Sequence, residues 1–399
     1  MDEAELAARR VGWRAIPRGI WALGFVSLLM DISSEMIHAL LPVYMLTVLG
    51  ASAITIGVIE GVAEATAAVT KVFSGAISDW LGKRKLLALI GYGLAALTKP
   101  IFPLAPTIEW LIGARFIDRI GKGIRGAPRD ALVADISPAH LRGASFGLRQ
   151  SLDTIGAFVG PLLAIGLMWM TMDNFRTVFW VAVIPAVLSV VVLLFAVREP
   201  ERSKEVRQVR MPLRRDELAR LGADYWKIVA VAGVFTLARF SEAFLLLRAQ
   251  SLGLPVKLTP AVLVLMSLAY SVSAYPVGVI SDRVNKISIL NIGLVLLVLA
   301  NLTLAASTGI VSLAIGVLLW GLHMGFTQGL LATMIAATSP AELRGTAFGV
   351  FNLVTGLTLL AASVIAGVLW QTVGPQFTFL AGAVFAGVTI VALVIIRPR

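Results

Sequence analysis

The chain is organised as long apolar runs separated by short polar loops. Twelve such runs follow one another, and each holds the roughly 20 residues that a helix needs to cross the hydrocarbon core of a bilayer. The runs lie at about 20–48, 53–79, 86–106, 109–133, 145–170, 177–197, 225–250, 259–281, 288–307, 311–334, 346–370 and 376–396. This pattern predicts an all-α membrane protein with twelve transmembrane helices.

Composition excludes an ordinary soluble protein. Of the 399 residues, 58% are hydrophobic and 14% are charged, and the mean hydropathy is +0.88. Soluble domains carry about 25% charged residues, so this chain is suited to lipid. The absence of cysteine excludes disulfides, thiol nucleophiles and thiolate metal sites. We expect no cofactor.

The net charge of +11 follows membrane topology. Lys and Arg crowd the loops on the side where the chain starts, whereas the opposite loops hold only Arg176 and Lys257. The positive-inside rule therefore places both termini in the cytoplasm of a cell with a bacterial-type inner (plasma) membrane. Nucleic-acid binding is not expected, because that activity needs basic residues gathered on one folded face.

The sequence repeats itself after half its length. Residues 137–147 return 202 positions later as 339–349, with eight of the eleven residues identical. Two halves in the same orientation are typical of a duplicated transporter with a substrate path between them. We therefore predict a cytoplasmic segment at 1–19, an N-terminal six-helix bundle at 20–197, a cytoplasmic linker at 198–224 and a C-terminal six-helix bundle at 225–396.

The loop after the second run carries a specific motif, which has a weaker second copy after the eighth run. The two copies comprise Gly75, Asp79, Gly82, Lys83 and Arg84, and then Gly278, Asp282 and Arg283. By these residues the chain resembles the major facilitator superfamily. The resemblance implies a secondary transporter that alternates between inward-open and outward-open states by a rocker switch, with these residues as its gate. The alternative is a basic turn that only sets topology, with a capping aspartate.

A second motif lies in the fifth run, where Gly156 and Gly160 are four residues apart and Pro161 follows. This run is similar to the motif associated with antiporters of the superfamily, which implies export. The alternative is ordinary helix packing, since small residues four apart let membrane helices approach closely.

The fourth run is unusually charged. Seven charges fall within an arc of roughly 140° on a helical wheel and sum to +3, so they need acids from neighbours, water or an anionic substrate. We assign Arg119 and Lys122 to substrate binding. We assign Arg125, Arg129 and Asp130, which lie towards the predicted cytoplasmic end of this run, to gating. The seven residues are Arg115, Asp118, Arg119, Lys122, Arg125, Arg129 and Asp130.

Acidic residues form stripes on the first two runs, within arcs of roughly 60° and 40°. Carboxylates in a cavity between two bundles can take up and release protons, so we predict proton coupling at Asp31, Glu35, Glu60 and Glu64. We assign seven polar residues of the spans to substrate binding, and of these Arg149 and Asp153 at i,i+4 and Arg239 and Glu242 at i,i+3 are able to pair within their helices. The alternative is a set of static salt bridges. The substrate-binding residues are His38, Arg119, Lys122, Arg149, Asp153, Arg239 and Glu242.

These features predict a proton-coupled exporter of a small organic anion or amphiphilic compound. An alternative cargo is a divalent metal ion or metal chelate, because Asp31, Glu35 and His38 are possible ligands and the run 118–130 is similar to a bacterial branch that includes nickel-efflux proteins. Alternatives of another class are a non-transporting membrane sensor and a membrane-embedded enzyme; we expect no enzyme activity. The expected partners are the lipid bilayer, protons and a small solute, and we expect a monomer.

Overall fold

The computed structural model describes residues 16–138, 141–199, 218–281, 284–340 and 343–396. These residues form the twelve predicted spans. In the first half the helices are Arg18–His38 with Leu41–Thr47 (first span), Ala53–Leu81, Arg84–Thr98 with Ile101–Leu104 (third), Ile108–Ile136, Arg142–Met170 and Phe175–Ala196. In the second half they are Ala223–Leu237 with Ala243–Ser251 (seventh span), Ala261–Ser281, Lys286–Ala306, Ile310–Thr338, Arg344–Thr372 and Pro375–Ile396.

Two spans depart from simple apolar helices. Ten stretches of the described residues are long and apolar enough to cross a membrane as helices. The other two spans are the fourth, which carries the arc of seven charged residues, and the seventh, which is broken into two helices. The fourth span departs from an apolar helix through its charged residues and the seventh through its break. Both spans contribute residues to the same cavity.

The seventh span does not continue as one helix through 225–250, as the apolar pattern predicts. Its first helix ends at Leu237 and the next begins at Ala243. Side chains satisfy the freed backbone, since Ser241 N donates to Ser363 Oγ at 3.1 Å and Ala243 N donates to Ser241 Oγ at 3.2 Å. Such breaks are tolerated in a bilayer only where protein or a watery cavity replaces the lost hydrogen bonds.

The first span is also interrupted. Its helix ends at His38 and resumes at Leu41, with Pro42 in the first turn of the new helix. Both interruptions lie beside residues that line the cavity between the halves, His38 in the first half and Glu242 in the second. Discontinuous helices at the midplane are a common way to build a transport site.

The halves pack together along the second and eleventh spans, and the backbones of these two spans approach each other most closely towards one side of the membrane. We call the side of Arg18, Lys83 and Lys286 the basic side and the opposite side the far side. At the far side the second span packs on the eleventh through glycines. A Cβ added at Gly61 would lie 2.9 Å from Leu360 Cα, and one at Gly367 would lie 2.7 Å from Ala53 O, so neither position has room for a side chain.

The far-side seam gives a first prediction. Gly61→Leu would separate the second and eleventh spans and keep the far side from closing. The chain has no cysteine, so Ala53→Cys with Gln371→Cys reports the seam, because Ala53 N donates to Gln371 Oε1 at 3.4 Å. We expect the cross-linking yield of this pair to fall several-fold in Gly61→Leu.

The matched control is Gly166→Leu, which places the same side chain in a membrane span with open space around its Cβ. It should leave the yield unchanged. An undiminished yield in Gly61→Leu would contradict the role of this glycine contact in closing the far side.

Candidate functional site

A cavity of about 710 Å³ lies between the two halves. Its wall on the second span runs from Glu60 to Lys71, and its wall on the eleventh from Phe351 to Leu359. Both stretches lie nearer the basic side than the glycine contacts of Ala53 with Gly367. The cavity therefore begins on the basic side of the contact between Ala53 and Gly367 and extends further towards the basic side.

The two walls of the cavity differ in chemistry. The first half contributes charged side chains, whereas the second half contributes mainly aromatic, aliphatic and amide side chains. On the first half these are Asp31, Glu35, His38, Glu60, Glu64, Lys71, Arg119, Lys122, Arg125, Arg129 and Asp153. On the second half they are Phe235, Thr236, Arg239, Phe240, Ser241, Glu242, Gln328, Leu331, Phe351, Asn352, Thr355 and Leu359.

Small residues allow the charged fourth span to sit deep in the first half. A Cβ at Gly121 would lie 2.6 Å from Gly91 O on the third span, and one at Gly123 would lie 2.8 Å from Ala67 O on the second. Ser74 Oγ also donates to Gly123 O at 2.9 Å. The charged arc is thereby turned away from lipid, as the helical wheel indicates.

The deepest ion pairs join the fourth span to the second. Arg115 Nη2 lies 2.7 Å from Glu60 Oε2, and these side chains are 3% and 1% exposed. His38 bridges two carboxylates, with Nε2 3.6 Å from Glu60 and Nδ1 3.5 Å from Glu35. One level nearer the basic side, Arg119 Nη1 lies 3.1 Å from Glu64 Oε1. Acids of neighbouring spans therefore neutralise these two arginines.

Asp118, the acid in the middle of the charged arc, forms an ion pair with Lys99 of the third span. Lys99 follows directly after the first helix of the third span, and its Nζ lies 3.0 Å from Asp118 Oδ1. The two side chains are 2% and 4% exposed. The sequence shows both residues inside spans but gives no register that would match them.

A second cluster lies nearer the basic side, between the fourth and fifth spans. Arg149 Nη1 lies 3.2 Å from Asp153 Oδ2, which is the i,i+4 pair expected from the sequence. Arg129 Nε lies 3.2 Å from Asp130, and its Nη1 lies 3.2 Å from Ser27 Oγ and 3.7 Å from Asp153 Oδ1. The fifth span thus contributes to the charged wall through Asp153.

The glycine motif of the fifth span packs directly on the acidic stripe of the first. A Cβ at Gly156 would lie 3.0 Å from Asp31 Cβ, and one at Gly160 would lie 2.7 Å from Glu35 Cβ. The spacing of four residues matches the spacing of the two acids. This pair of glycines therefore sets how closely the fifth span approaches two of the predicted proton-binding residues.

Three predicted substrate-binding residues face the cavity without an ion-pair partner among the described residues: Lys122, Arg239 and Glu242. The expected i,i+3 pairing of Arg239 with Glu242 does not form, because the seventh span is not helical between 238 and 242. Lys122 is exposed, and its exposed surface belongs to the cavity. These groups remain available to a solute.

Several predicted gate residues belong to the interior of the first half. Arg84 Nη1 lies 2.7 Å from Asp135 Oδ2, which ties the third span to the fourth. Arg125 lies over the ring of Tyr92 at 4.8 Å and lines the cavity together with Arg129. Gly82 has φ of +63°, which explains a glycine where the second span ends.

For the remaining predicted gate residues in the described part of the chain, the structure gives the position relative to the helices. Gly75 lies in the second-span helix, where a Cβ would lie 3.5 Å from Ala127 Cβ. Lys83 precedes the third-span helix, and Gly278 lies in the eighth-span helix. The side chain of Asp79 and both Asp282 and Arg283 lie outside the described part of the chain.

Most residues of the second-half wall are not among those predicted from the sequence. Gln328 and Asn352 are amides in otherwise apolar spans, and that contrast was a signal that could have identified them. The aromatic residues Phe235, Phe240 and Phe351 gave no such signal, because similar residues occur throughout the spans as packing groups.

Comparison with known proteins agrees with this arrangement. The sequence model of the Major Facilitator Superfamily matches residues 23–363 and 231–399. This chain belongs to the major facilitator superfamily. An uncharacterized MFS-type transporter of Methanocaldococcus jannaschii, MJ1317, is 31% identical over 381 residues, which cover 94% of this chain and 93% of that protein. The inner membrane transport protein YajR of Escherichia coli is 26% identical over 392 residues, covering 93% and 81%.

Solved structures share the major facilitator fold. A POT family transporter in complex with 5-aminolevulinic acid superposes with a TM-score of 0.79 at 16% identity, covering 97% of this chain and 96% of that one. The nucleoside transporter NupG superposes with a TM-score of 0.74 at 15% identity, covering 95% and 98%. At this identity the likeness concerns the fold alone. The protein is a multi-pass membrane transporter and not an enzyme.

The deepest ion pair gives a second prediction. Glu60→Gln leaves the Arg115 guanidinium buried without its counter-charge, and breaking a buried pair in this way costs about 3–5 kcal/mol. We expect the free energy of unfolding of the purified transporter to fall by about that amount. Thermal or denaturant unfolding in lipid or detergent measures it.

Two further variants isolate the effect of the pair. Glu109→Gln removes an exposed acid at the far-side start of the fourth span and should change stability little. The double substitution Glu60→Leu with Arg115→Met should recover much of the loss, because no uncompensated charge remains. Equal stability of Glu60→Gln and the parent would show that this pair does not hold the fourth span.

Proposed function

We propose that this transporter is a proton-coupled antiporter that exports a small amphiphilic compound. The observation that carries the proposal is the two-sided cavity, with a charged wall on the first half and an aromatic and aliphatic wall on the second. A solute with a polar end and an apolar body would satisfy both walls at once. Binding sites of this kind bury an apolar body and orient it by a few polar contacts.

The charge balance of the cavity supports an amphiphile over a simple anion. Six acids line it (Asp31, Glu35, Glu60, Glu64, Asp153 and Glu242), and so do six Lys or Arg residues (Lys71, Arg119, Lys122, Arg125, Arg129 and Arg239). The excess of +3 on the fourth span is therefore offset by acids of other spans. Strong attraction for a purely anionic solute is not built into this cavity.

An organic anion is the second candidate, and Lys122 favours it. This ammonium group faces the cavity with no ion-pair partner among the described side chains, unlike Arg115 and Arg119. A carboxylate or phosphate on the solute would provide one. The same contact would orient an amphiphile whose polar end is acidic, so Lys122 serves both candidates.

The acids differ in their suitability for carrying protons. Glu60 and Glu64 are held by Arg115 and Arg119, which stabilise their charged forms. Asp31 has no such arginine contact at ion-pair distance among the described residues. Of the predicted proton-coupling residues, Asp31 has the geometry that best suits protonation, with Glu35 beside His38 as a second acid.

Metal cargo is less well supported by the geometry of the proposed ligands. Both ring nitrogens of His38 are directed at carboxylates, Glu35 and Glu60, and Glu60 is also engaged by Arg115. The described residues contain no group of three or more His, Cys, Asp and Glu that could hold a metal ion. An organic cargo makes better use of the apolar wall.

Orientation and direction complete the proposal. With the basic side in the cytoplasm, the cavity would open towards the cytoplasm in this conformation, ready to load a solute for export. The glycine motif of the fifth span, which resembles that of antiporters, supports the same direction. We propose that the transporter works as a monomer in a bacterial-type inner membrane.

A growth screen tests the cargo and the role of Lys122. Cells that express the parent should tolerate higher concentrations of amphiphilic drugs than cells without it, and organic acids and metal salts serve as the competing classes. Lys122→Met should reduce the protection about tenfold, since a charged hydrogen bond contributes about 1.5–3 kcal/mol. Lys227→Met, on a partly exposed lysine outside the cavity that is paired with Asp224, is the matched control and should keep full protection.

Protection against metal salts alone would overturn the organic-cargo proposal in favour of the metal alternative. Protection against none of the three classes would overturn export itself. Equal protection by Lys122→Met and the parent would remove Lys122 from the binding site.

Proton coupling is tested in liposomes. The purified parent should move a protected compound faster when a pH gradient is imposed, and Asp31→Asn with Glu35→Gln should abolish this acceleration. The reason is that neutral amides can neither bind nor release protons. A double variant that kept the full response to the gradient would show that these acids do not couple transport to protons.

A further inference from the structure

We propose that Asp31 of the first span and Asp153 of the fifth share one proton, and that this carboxyl pair is the proton-binding site of the transporter. The inference deepens the proposed function, on which it rests for its role in transport. It also assigns Asp153 to proton binding, whereas the sequence suggests substrate binding. Its basis is the contact geometry of the two carboxyls.

The two carboxyl groups are neighbours within hydrogen-bonding reach of each other. They are brought together by close helix packing, because the backbone of the fifth span approaches Asp31 at Gly156, with 3.0 Å from a Cβ built there to Asp31 Cβ. Both residues also line the central cavity. Protons can therefore reach the pair through water in the cavity.

One buried oxygen of the carboxyl pair has no hydrogen-bond donor among the described residues. Asp153 Oδ2 receives Arg149 Nη1 at 3.2 Å, but the buried Asp153 Oδ1 receives no hydrogen bond from any described residue. Neither does a described residue donate to the Asp31 carboxyl at hydrogen-bond distance. Two ionised carboxylates would repel each other here, while one proton held between them supplies the missing donor and removes the repulsion.

The nearby cations do not replace that proton. Arg129 faces the pair from the fourth span, but its Nη1 lies 3.7 Å from Asp153 Oδ1 and makes its short contact to Ser27 Oγ at 3.2 Å, while its Nε contacts Asp130. Arg125, also near Asp31, lies over the Tyr92 ring at 4.8 Å. Arg149 is directed at the other oxygen of Asp153.

Arg125 can stabilise the ionised form of the pair after the proton leaves. Its Nη1 is buried and has no acceptor among the described residues. When Asp31 is ionised, this nitrogen can turn towards the new carboxylate, so that release of the proton is accompanied by a new contact between the first and fourth spans. Arg125 also lines the cavity, so release of the proton would rearrange the charged wall that faces the solute and would link proton binding to solute binding.

Infrared difference spectroscopy of the purified transporter in lipid, recorded between acidic and alkaline pH, tests the pair without any solute. We expect a carbonyl stretching band of a protonated carboxyl that disappears at alkaline pH. Asp31→Asn and Asp153→Asn should each abolish this band, since either change removes one half of the pair. Glu64→Gln is the matched control, because it removes a cavity acid that is paired with Arg119, and it should leave the band in place.

Conservative variants keep the test decisive if an asparagine variant does not fold. Asp31→Glu and Asp153→Glu retain both carboxyls at an altered separation and should shift the band and the pH at which it disappears. A band that survives either asparagine variant, that is unmoved in both glutamate variants, or that is lost in Glu64→Gln would overturn the proposal. Flux measurements separate it from the proposed function: a band that behaves as expected in a transporter whose flux ignores the pH gradient supports the pair and overturns proton coupling.

Discussion

The structure depends on the burial of a charged helix in a medium that solvates charge poorly. The charged arc of the fourth span carries five basic and two acidic side chains (Arg115, Arg119, Lys122, Arg125 and Arg129, with Asp118 and Asp130). An unmatched charge in such a place is costly, so the surrounding spans have to supply partners and approach closely. The acids of the first, second and fifth spans, the buried Lys99, and the glycines at 91, 121 and 123 all meet this demand.

The same demand explains why the duplicated halves differ in character. The second half also has six spans, but its interior is filled by aromatic side chains. The fully buried ring of His323 has its centre 5.4 Å from the ring centre of Trp320 and 6.4 Å from that of Phe235. Its charged contributions to the cavity are Arg239 and Glu242, where the seventh span is broken. In the proposed mechanism the first half therefore binds protons and the second half holds the apolar body of the cargo.

Closure on one side follows from backbone contact and needs no charge. The far-side seam brings the second and eleventh spans together at glycines, where the helices touch through backbone atoms. Tight packing of this kind resists gradual deformation, which suits the proposed switch between two rigid-body states. The ion pairs, by contrast, lie mostly within the first half, so movement of one half against the other would leave them intact.

The sequence alone determined the number of spans, the duplication and the family, because hydropathy, repeated segments and motif spacing are properties of the chain itself. It also identified the charged residues that line the cavity, such as Asp31, Glu64 and Lys122, since charge inside an apolar run stands out. Only the tertiary structure decided which charges meet. The pairing of Lys99 with Asp118, the contact of Asp31 with Asp153 and the break at 238–242 depend on how neighbouring helices are rotated and displaced against each other, and no local pattern encodes that register.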